Sequence, residues 1–128
     1  MRVLVTGAAG MIGRKFVERV LRDGAIGGTP VERLVLHDVV RPEAASPIVT
    51  AVEGDVSTQE AVEGLLAHRP DLILHLAAVV SGEAEADFDL GYRVNLDGTR
   101  RLLEGIRVAG LRPRLRLSYI PRTNFGLP

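Results

Sequence analysis

Residues 1–13 read MRVLVTGAAGMIG, and this stretch decides the fold. A short apolar strand over residues 3–6 runs into Gly7-Ala8-Ala9-Gly10-Met11-Ile12-Gly13, which opens an amphipathic helix. Three glycines at this spacing, between a strand and a helix, build a surface that a phosphate can approach. Gly7 permits the tight turn, Gly10 removes the side chain that would block a pyrophosphate, and Gly13 lets the helix pack close to the strand. The helix then aims its unpaired backbone N–H groups and the positive end of its dipole at the anion. The expected ligand is a dinucleotide. A glycine-rich turn that binds nothing has the same letters, so the flanking sequence must decide.

The flanks fit a binding turn. Over residues 11–22, Ile12, Phe16 and Val20 fall on one helical stripe, with Val17 and Leu21 beside it, while Lys15, Glu18, Arg19 and Arg22 take the other face. Gly24 is placed to cap the helix. A second apolar run, RLVLH at 33–37, ends in Asp38. A carboxylate closing the second strand can accept hydrogen bonds from both ribose hydroxyls of an adenosine. Asp38 follows Gly13 at a somewhat longer spacing than usual, and a Gly-rich loop over 23–30 accounts for the excess.

The alternation continues. After a proline-marked stretch at 41–47, a third strand is expected over 48–52. Ser57-Thr58-Gln59-Glu60 reads as a capping box opening a helix to about residue 68. DLILHLAA at 71–78 is a nearly continuous apolar run, as expected of a strand covered on both faces. A long helix is expected over 84–108, with Val94, Leu102, Leu103, Ile106 and Ala109 in its apolar stripe. A poorer fifth strand spans 111–117. Strands alternating with helices imply an α/β fold with a parallel sheet, in the order 3-2-1-4-5. The ligand belongs beyond the C-terminal ends of strands 1 and 4, where that order reverses.

Position then nominates residues. Gly7, Gly10, Met11, Ile12 and Gly13 lie at the tip of strand 1, and Asp38 at the tip of strand 2. Asp55 and Val56 follow strand 3, where a carboxylate can meet an adenine amino group and an apolar side chain can flank the ring. The alternative for Asp55 is an ordinary turn aspartate ahead of a helix. Leu76, Ala77 and Ala78 close strand 4, and small residues there let a ribose come near. Tight packing alone would also explain Ala77 and Ala78. His75, in an apolar strand, is expected to be a core histidine with a backbone partner.

Bulk properties set limits. The 128 residues suffice for one core, and zero net charge argues against a nucleic acid or an anionic membrane as partner. With no cysteine, disulfides, thiolate chemistry and Cys-based metal sites are excluded. The three histidines are too scattered in sequence to suggest another metal site. Met1-Arg2 runs straight into the first strand, so no signal peptide is read, and a soluble cytoplasmic protein is the expectation.

At these same residues the chain resembles the extended short-chain dehydrogenases/reductases, the NAD-dependent epimerase/dehydratase family. VTGAAGMIG, the strand ending His37-Asp38, Gly54-Asp55-Val56, His75-Leu76-Ala77-Ala78 and Val94-Asn95-Leu96-Asp97-Gly98-Thr99 follow the family's order and approximate spacing. The resemblance covers about residues 1–117 and implies a Rossmann-type three-layer sandwich. It implies NAD as cofactor, with the pyrophosphate at Gly7/Gly10/Gly13 and Asp38 repelling the 2′-phosphate of NADP. Adenine would lie at Asp55-Val56, and the nicotinamide-side ribose along Leu76–Ala78. Asn95 would be the family's structural or cofactor-proximal asparagine, expected buried in the long helix, with a surface-facing asparagine as the alternative. Ser81 would begin the substrate-facing loop, or simply cap a helix. Within the family, residues 79–99 and 37–44 look most like a dehydrogenase of four-carbon sugar acids.

The family's chemistry needs a Tyr with a Lys four residues later, and a Ser at the end of the preceding strand. This chain has one lysine, Lys15, on the first helix, and Leu96 and Thr123 stand four residues after Tyr92 and Tyr119. Ser118 is the candidate serine, or an ordinary strand-end residue. From 105 to 128 there are five arginines and no acids, with Arg114 and Arg116 where apolar residues are expected. The chain therefore divides into an NAD-binding domain over 1–117 and a divergent tail over 118–128. The fold is expected to be truncated before its catalytic and substrate-domain elements. Three functions remain open: the NAD-binding portion of an oxidoreductase acting on a small sugar acid, a nucleotide-sugar epimerase or dehydratase, and a non-catalytic dinucleotide sensor. A homodimer through helix 84–108 is expected, with Gly91, Gly98 and Gly105 permitting close approach.

Overall fold

A computed structural model of the chain describes residues 1–77 and 92–117. Ala78, Ser81, Ser118, the first residues of the long helix and the tail lie outside the described residues. The elements run β1 (Arg2–Thr6), α1 (Met11–Asp23), β2 (Ala25–Ile26), β3 (Thr29–Pro30), β4 (Arg33–Asp38), β5 (Val49–Glu53), α2 (Gln59–Leu66) and β6 (Leu72–His75). A π-helical turn (Tyr92–Asp97), α3 (Gly98–Val108) and β7 (Arg114–Leu117) follow.

The five longer strands pair in the order β5-β4-β1-β6-β7, every pair parallel. This is the expected 3-2-1-4-5 order. Successive side chains on a strand point to opposite faces, and both faces here are apolar. Val3, Val5, Leu34 and Leu36 pack on Val17 and Val20 of α1. Leu4, Val35 and Ile73 pack on Val62, Leu65 and Leu66 of α2 and Leu102 of α3. The result is a three-layer α/β sandwich of the Rossmann type, with α1 on one face and α2 and α3 on the other.

Several local expectations are corrected. The glycine-rich segment after α1 is not a plain loop: β2 and β3 form an antiparallel hairpin through Gly27 and Gly28, both at positive φ. Two such residues suit the tight two-residue hairpin turn. Ile12 leaves the helical stripe, being 52% exposed, because the first turn of α1 stands above the sheet edge; Gly13, Val17 and Val20 are the buried positions. The helix after β5 is capped by Thr58, whose Oγ1 accepts from Ala61 N at 3.2 Å. Ser57, the expected cap, is held by Asp55 instead.

The long helix is not regular. Its described part starts as the π-helical turn, and α3 proper begins at Gly98. Leu102 is buried, but Leu103 and Ala109 of the expected stripe are exposed. A Cβ on Gly105 would meet Val62 Cγ1 at 2.8 Å and Leu66 Cδ1 at 2.9 Å. Gly105 therefore seats α3 on α2 within this chain rather than opening a face to a second copy. Gly24 ends α1 as expected, at φ +69 with its N–H bonded to Val20 O.

Candidate dinucleotide site

The C-terminal ends of β1, β4, β5 and β6 converge at one edge of the sheet, and the glycine turn lies across them. Gly7 takes φ +75, a conformation that strains any side chain. It also has no room for one: a Cβ there would sit 2.7 Å from Leu76 C and Ala77 N. The glycine that makes the turn thus also lets it press against the tip of β6. A Cβ on Gly13 would lie 2.5 Å from Gly7 O and 2.8 Å from Ala8 Cα, so Gly13 seats the helix on its own turn rather than on the strand. Gly10 is the N-cap of α1 and exposed.

The two helix starts differ. The N-terminus of α2 has the Thr58 hydroxyl and the acidic Glu60 in its first turn. The N-terminus of α1 has no side-chain cap and no acid in its first turn. Its N–H groups, with Met11 and Ile12 exposed around them, are left for an external anion. The glycine cradle and the uncapped helix together fit a pyrophosphate.

Asp38 reaches back to the same turn. Its Oδ2 accepts from Ala9 N at 2.9 Å and its Oδ1 from Val39 N at 2.7 Å. Ala8 N bonds His37 O and Gly54 N bonds Asp38 O, so the tips of β1, β4 and β5 are tied into one frame. Asp55 accepts from both the N–H and the hydroxyl of Ser57, at 2.9 and 2.6 Å, which gives it the turn-stabilising role that was its alternative reading. Val56 does not flank an open ring position. It is buried among Val62, Leu65, Leu66 and Leu102, because the chain dives under α2 directly after the turn.

Beneath this edge lies a polar row that sequence reasoning missed. Thr6 pairs in register with His37 on one side and His75 on the other, so all three project from the α2/α3 face. His75 is not bonded to backbone as expected. Its Nδ1 lies 2.6 Å from Thr6 Oγ1 and its Nε2 3.3 Å from Thr99 Oγ1 on α3. Burial, reinforced by the neighbouring His37, pushes the His75 pKa down to about 4. His37 is 1% exposed, and neither ring nitrogen has a partner among the described residues. Burial lowers its pKa too, against the opposing pull of the Asp38 and Asp55 carboxylates. An imidazole near the C-terminal end of each of the two apolar strands that flank β1 is the signal that could have found this row.

Asn95 lies on the π-helical turn and is exposed, not buried as expected, with its carbonyl accepting from the Thr99 hydroxyl. Depressions of about 330 and 390 Å³ lie at the opposite edge of the sheet, lined by arginines such as Arg2, Arg33, Arg69 and Arg112. They have neither the glycine cradle nor an uncapped helix. No helix among the described residues is long and apolar enough to cross a membrane.

Comparison with known proteins agrees with this geometry. The NAD dependent epimerase/dehydratase family matches residues 3–120. D-erythronate dehydrogenase of Cupriavidus necator is 45% identical over 120 residues, which cover 90% of this chain and 37% of that protein. Among solved structures, the nucleoside-diphosphate-sugar epimerase from Agrobacterium tumefaciens superposes with a TM-score of 0.87 at 51% identity, over 91% of this chain and 36% of that one. A mutant uronate dehydrogenase from Agrobacterium tumefaciens, complexed with NAD, gives a TM-score of 0.75 at 31% identity, over 95% and 44%. The chain thus spans well under half the length of each.

Proposed function

The chain belongs to the NAD dependent epimerase/dehydratase family, and from that premise we propose that it forms the NAD-binding part of an oxidoreductase acting on a small sugar acid. The observation that carries the cofactor is the bond from Ala9 N to the Asp38 carboxylate, which plants a fixed negative charge beside the glycine turn. A carboxylate there accepts ribose hydroxyls and repels a 2′-phosphate. The uncapped N–H groups of α1 and the bare edge at Gly10 take the pyrophosphate. The adenine end falls to Asp55 and the backbone of Val56, and the nicotinamide half to Leu76, Ala77, Ala78 and Asn95. Bound NAD supplies a hydride acceptor; these residues hold and orient it.

The sugar-acid substrate is favoured by the identity to D-erythronate dehydrogenase across the whole cofactor frame. The 51% identity to a nucleoside-diphosphate-sugar epimerase supports a second reading within the enzymes, a sugar-nucleotide substrate. Ser118 and Ser81 keep their proposed catalytic and substrate-facing roles. The test is NADH formation by this chain with D-erythronate and, because epimerisation returns the hydride and leaves no NADH, conversion of a UDP-sugar to its epimer as the comparison. Binding of NAD without turnover of either supports a cofactor-binding part. Turnover would show an acid–base pair of its own and refute that reading.

Self-association and location belong to the same proposal. Leu96 on the π-helical turn and Leu103 on α3 are 51% and 48% exposed and leave apolar surface along this helical segment. Covering it with a second copy of the same helix makes a homodimer. We place the protein in the cytoplasm.

A further inference from the structure

Four hydrogen bonds run end to end beneath the site. Ala77 N donates to Thr6 Oγ1 at 3.3 Å, and Thr6 Oγ1 lies 2.6 Å from His75 Nδ1. His75 Nε2 lies 3.3 Å from Thr99 Oγ1, and the Thr99 hydroxyl donates to Asn95 O at 3.0 Å. Counting hydrogens fixes the direction of the chain. A hydroxyl has one hydrogen. Thr99 gives its hydrogen to Asn95 O and can only accept from His75, which places the imidazole proton on Nε2. His75 Nδ1 is then a bare lone pair and must accept from Thr6, whose oxygen in turn accepts from Ala77. Every link has one donor and one acceptor, all pointing from the tip of β6 to the π-helical turn.

We propose that His75 is a positioning residue for the nicotinamide half of the site: locked as its Nε2–H tautomer, it fixes the β6 tip at Ala77 to the π-helical turn that carries Asn95. The proposal rests on the NAD-binding reading, which assigns both ends of this hydrogen-bond chain to that half of the cofactor. Two observations set it apart from incidental burial. His37 flanks Thr6 at the same level of the sheet and is as buried, yet neither of its nitrogens is bonded among the described residues. The π-helical turn is also a rare form, found mostly as a single turn and frequently at functional sites. The Asp97 side chain does not cap α3, whereas Thr99, in the first turn of the helix, is tied both to His75 and back to Asn95 O. The low pKa of His75 keeps the imidazole singly protonated at neutral pH, as a one-directional chain requires.

The test reads the tautomer and the cofactor separately. Nitrogen-15 NMR at pH 7 should show His75 as the Nε2–H tautomer. NAD and ADP, which lacks the nicotinamide and its ribose, are then titrated into the wild type, Thr99→Val and Thr99→Ser. Thr99→Val keeps the shape but removes the acceptor; it should weaken NAD about fivefold and leave ADP unchanged. Thr99→Ser should restore NAD binding. An Nδ1–H tautomer, equal losses for NAD and ADP, or no loss in Thr99→Val would overturn this inference alone. A folded wild type that takes up neither ligand would overturn the cofactor reading and this inference with it.

Discussion

The Asp38 carboxylate, at the end of β4, accepts a hydrogen bond from Ala9 N in the glycine turn at 2.9 Å. On the proposed reading, the residue that would select the cofactor is thereby fixed to the loop that would hold its phosphates. Removing the carboxylate takes away both the ribose acceptor and the charge that repels a 2′-phosphate. Asp38→Ala should weaken NAD by roughly tenfold, the worth of one charge-assisted hydrogen bond, and narrow the gap to NADP. Parallel titrations with the two cofactors check it. An unchanged preference would refute the role of Asp38.

Gly13→Ala forces a Cβ to within 2.5 Å of Gly7 O, and the atoms around it are backbone that cannot step aside. The helix must lift off its turn, at about 2–3 kcal/mol. Gly24→Ala meets nothing within 4 Å but must hold φ +69, so it should cost only about 1 kcal/mol. Urea denaturation of both variants checks the order. Equal losses would mean that the close approach at Gly13 is not what the glycine is for.

Stability should fall in mild acid. The unfolded chain protonates His75 near its ordinary value of 6.5, whereas the folded chain resists until about pH 4. Between those values the unfolded state binds the extra proton, so stability drops as pH falls and levels off below pH 4. His75 alone accounts for roughly 3 kcal/mol, with His37 acting in the same direction. Denaturation midpoints from pH 7 to pH 4 read this directly. A His75→Gln variant should flatten the slope, and a wild type with no slope would contradict the buried neutral imidazole.

Leu103 is on the outer side of α3 and Leu102 on the inner side, so the two leucines separate assembly from folding. Leu103→Glu should shift a dimer to monomer in sedimentation velocity with little change in melting temperature. A wild type that is monomeric at high concentration would refute the helix-mediated homodimer.

Much of this was legible from local sequence, for physical reasons. The glycine turn, the apolar strands and the proline breaks act over a few residues, and parallel crossovers leave little choice of strand order. Asp38 ends β4 where the apolar run placed it. What failed depended on where an element meets the rest of the molecule. Ile12 has helical periodicity but stands above the sheet edge. Val56 follows a turn yet dives under α2. Gly105 suggested a gap for a partner and is filled by Val62 and Leu66 of the same chain. The Thr6–His75–Thr99 connection joins residues from three elements, with Thr6 and His75 69 positions apart, and no periodicity announces it.

The account stands most directly on calorimetric titration of the folded chain with NAD, with NADP measured alongside. It predicts saturable NAD binding at a single site and NADP weaker by about tenfold or more. A folded sample that binds neither, or that prefers NADP, contradicts it.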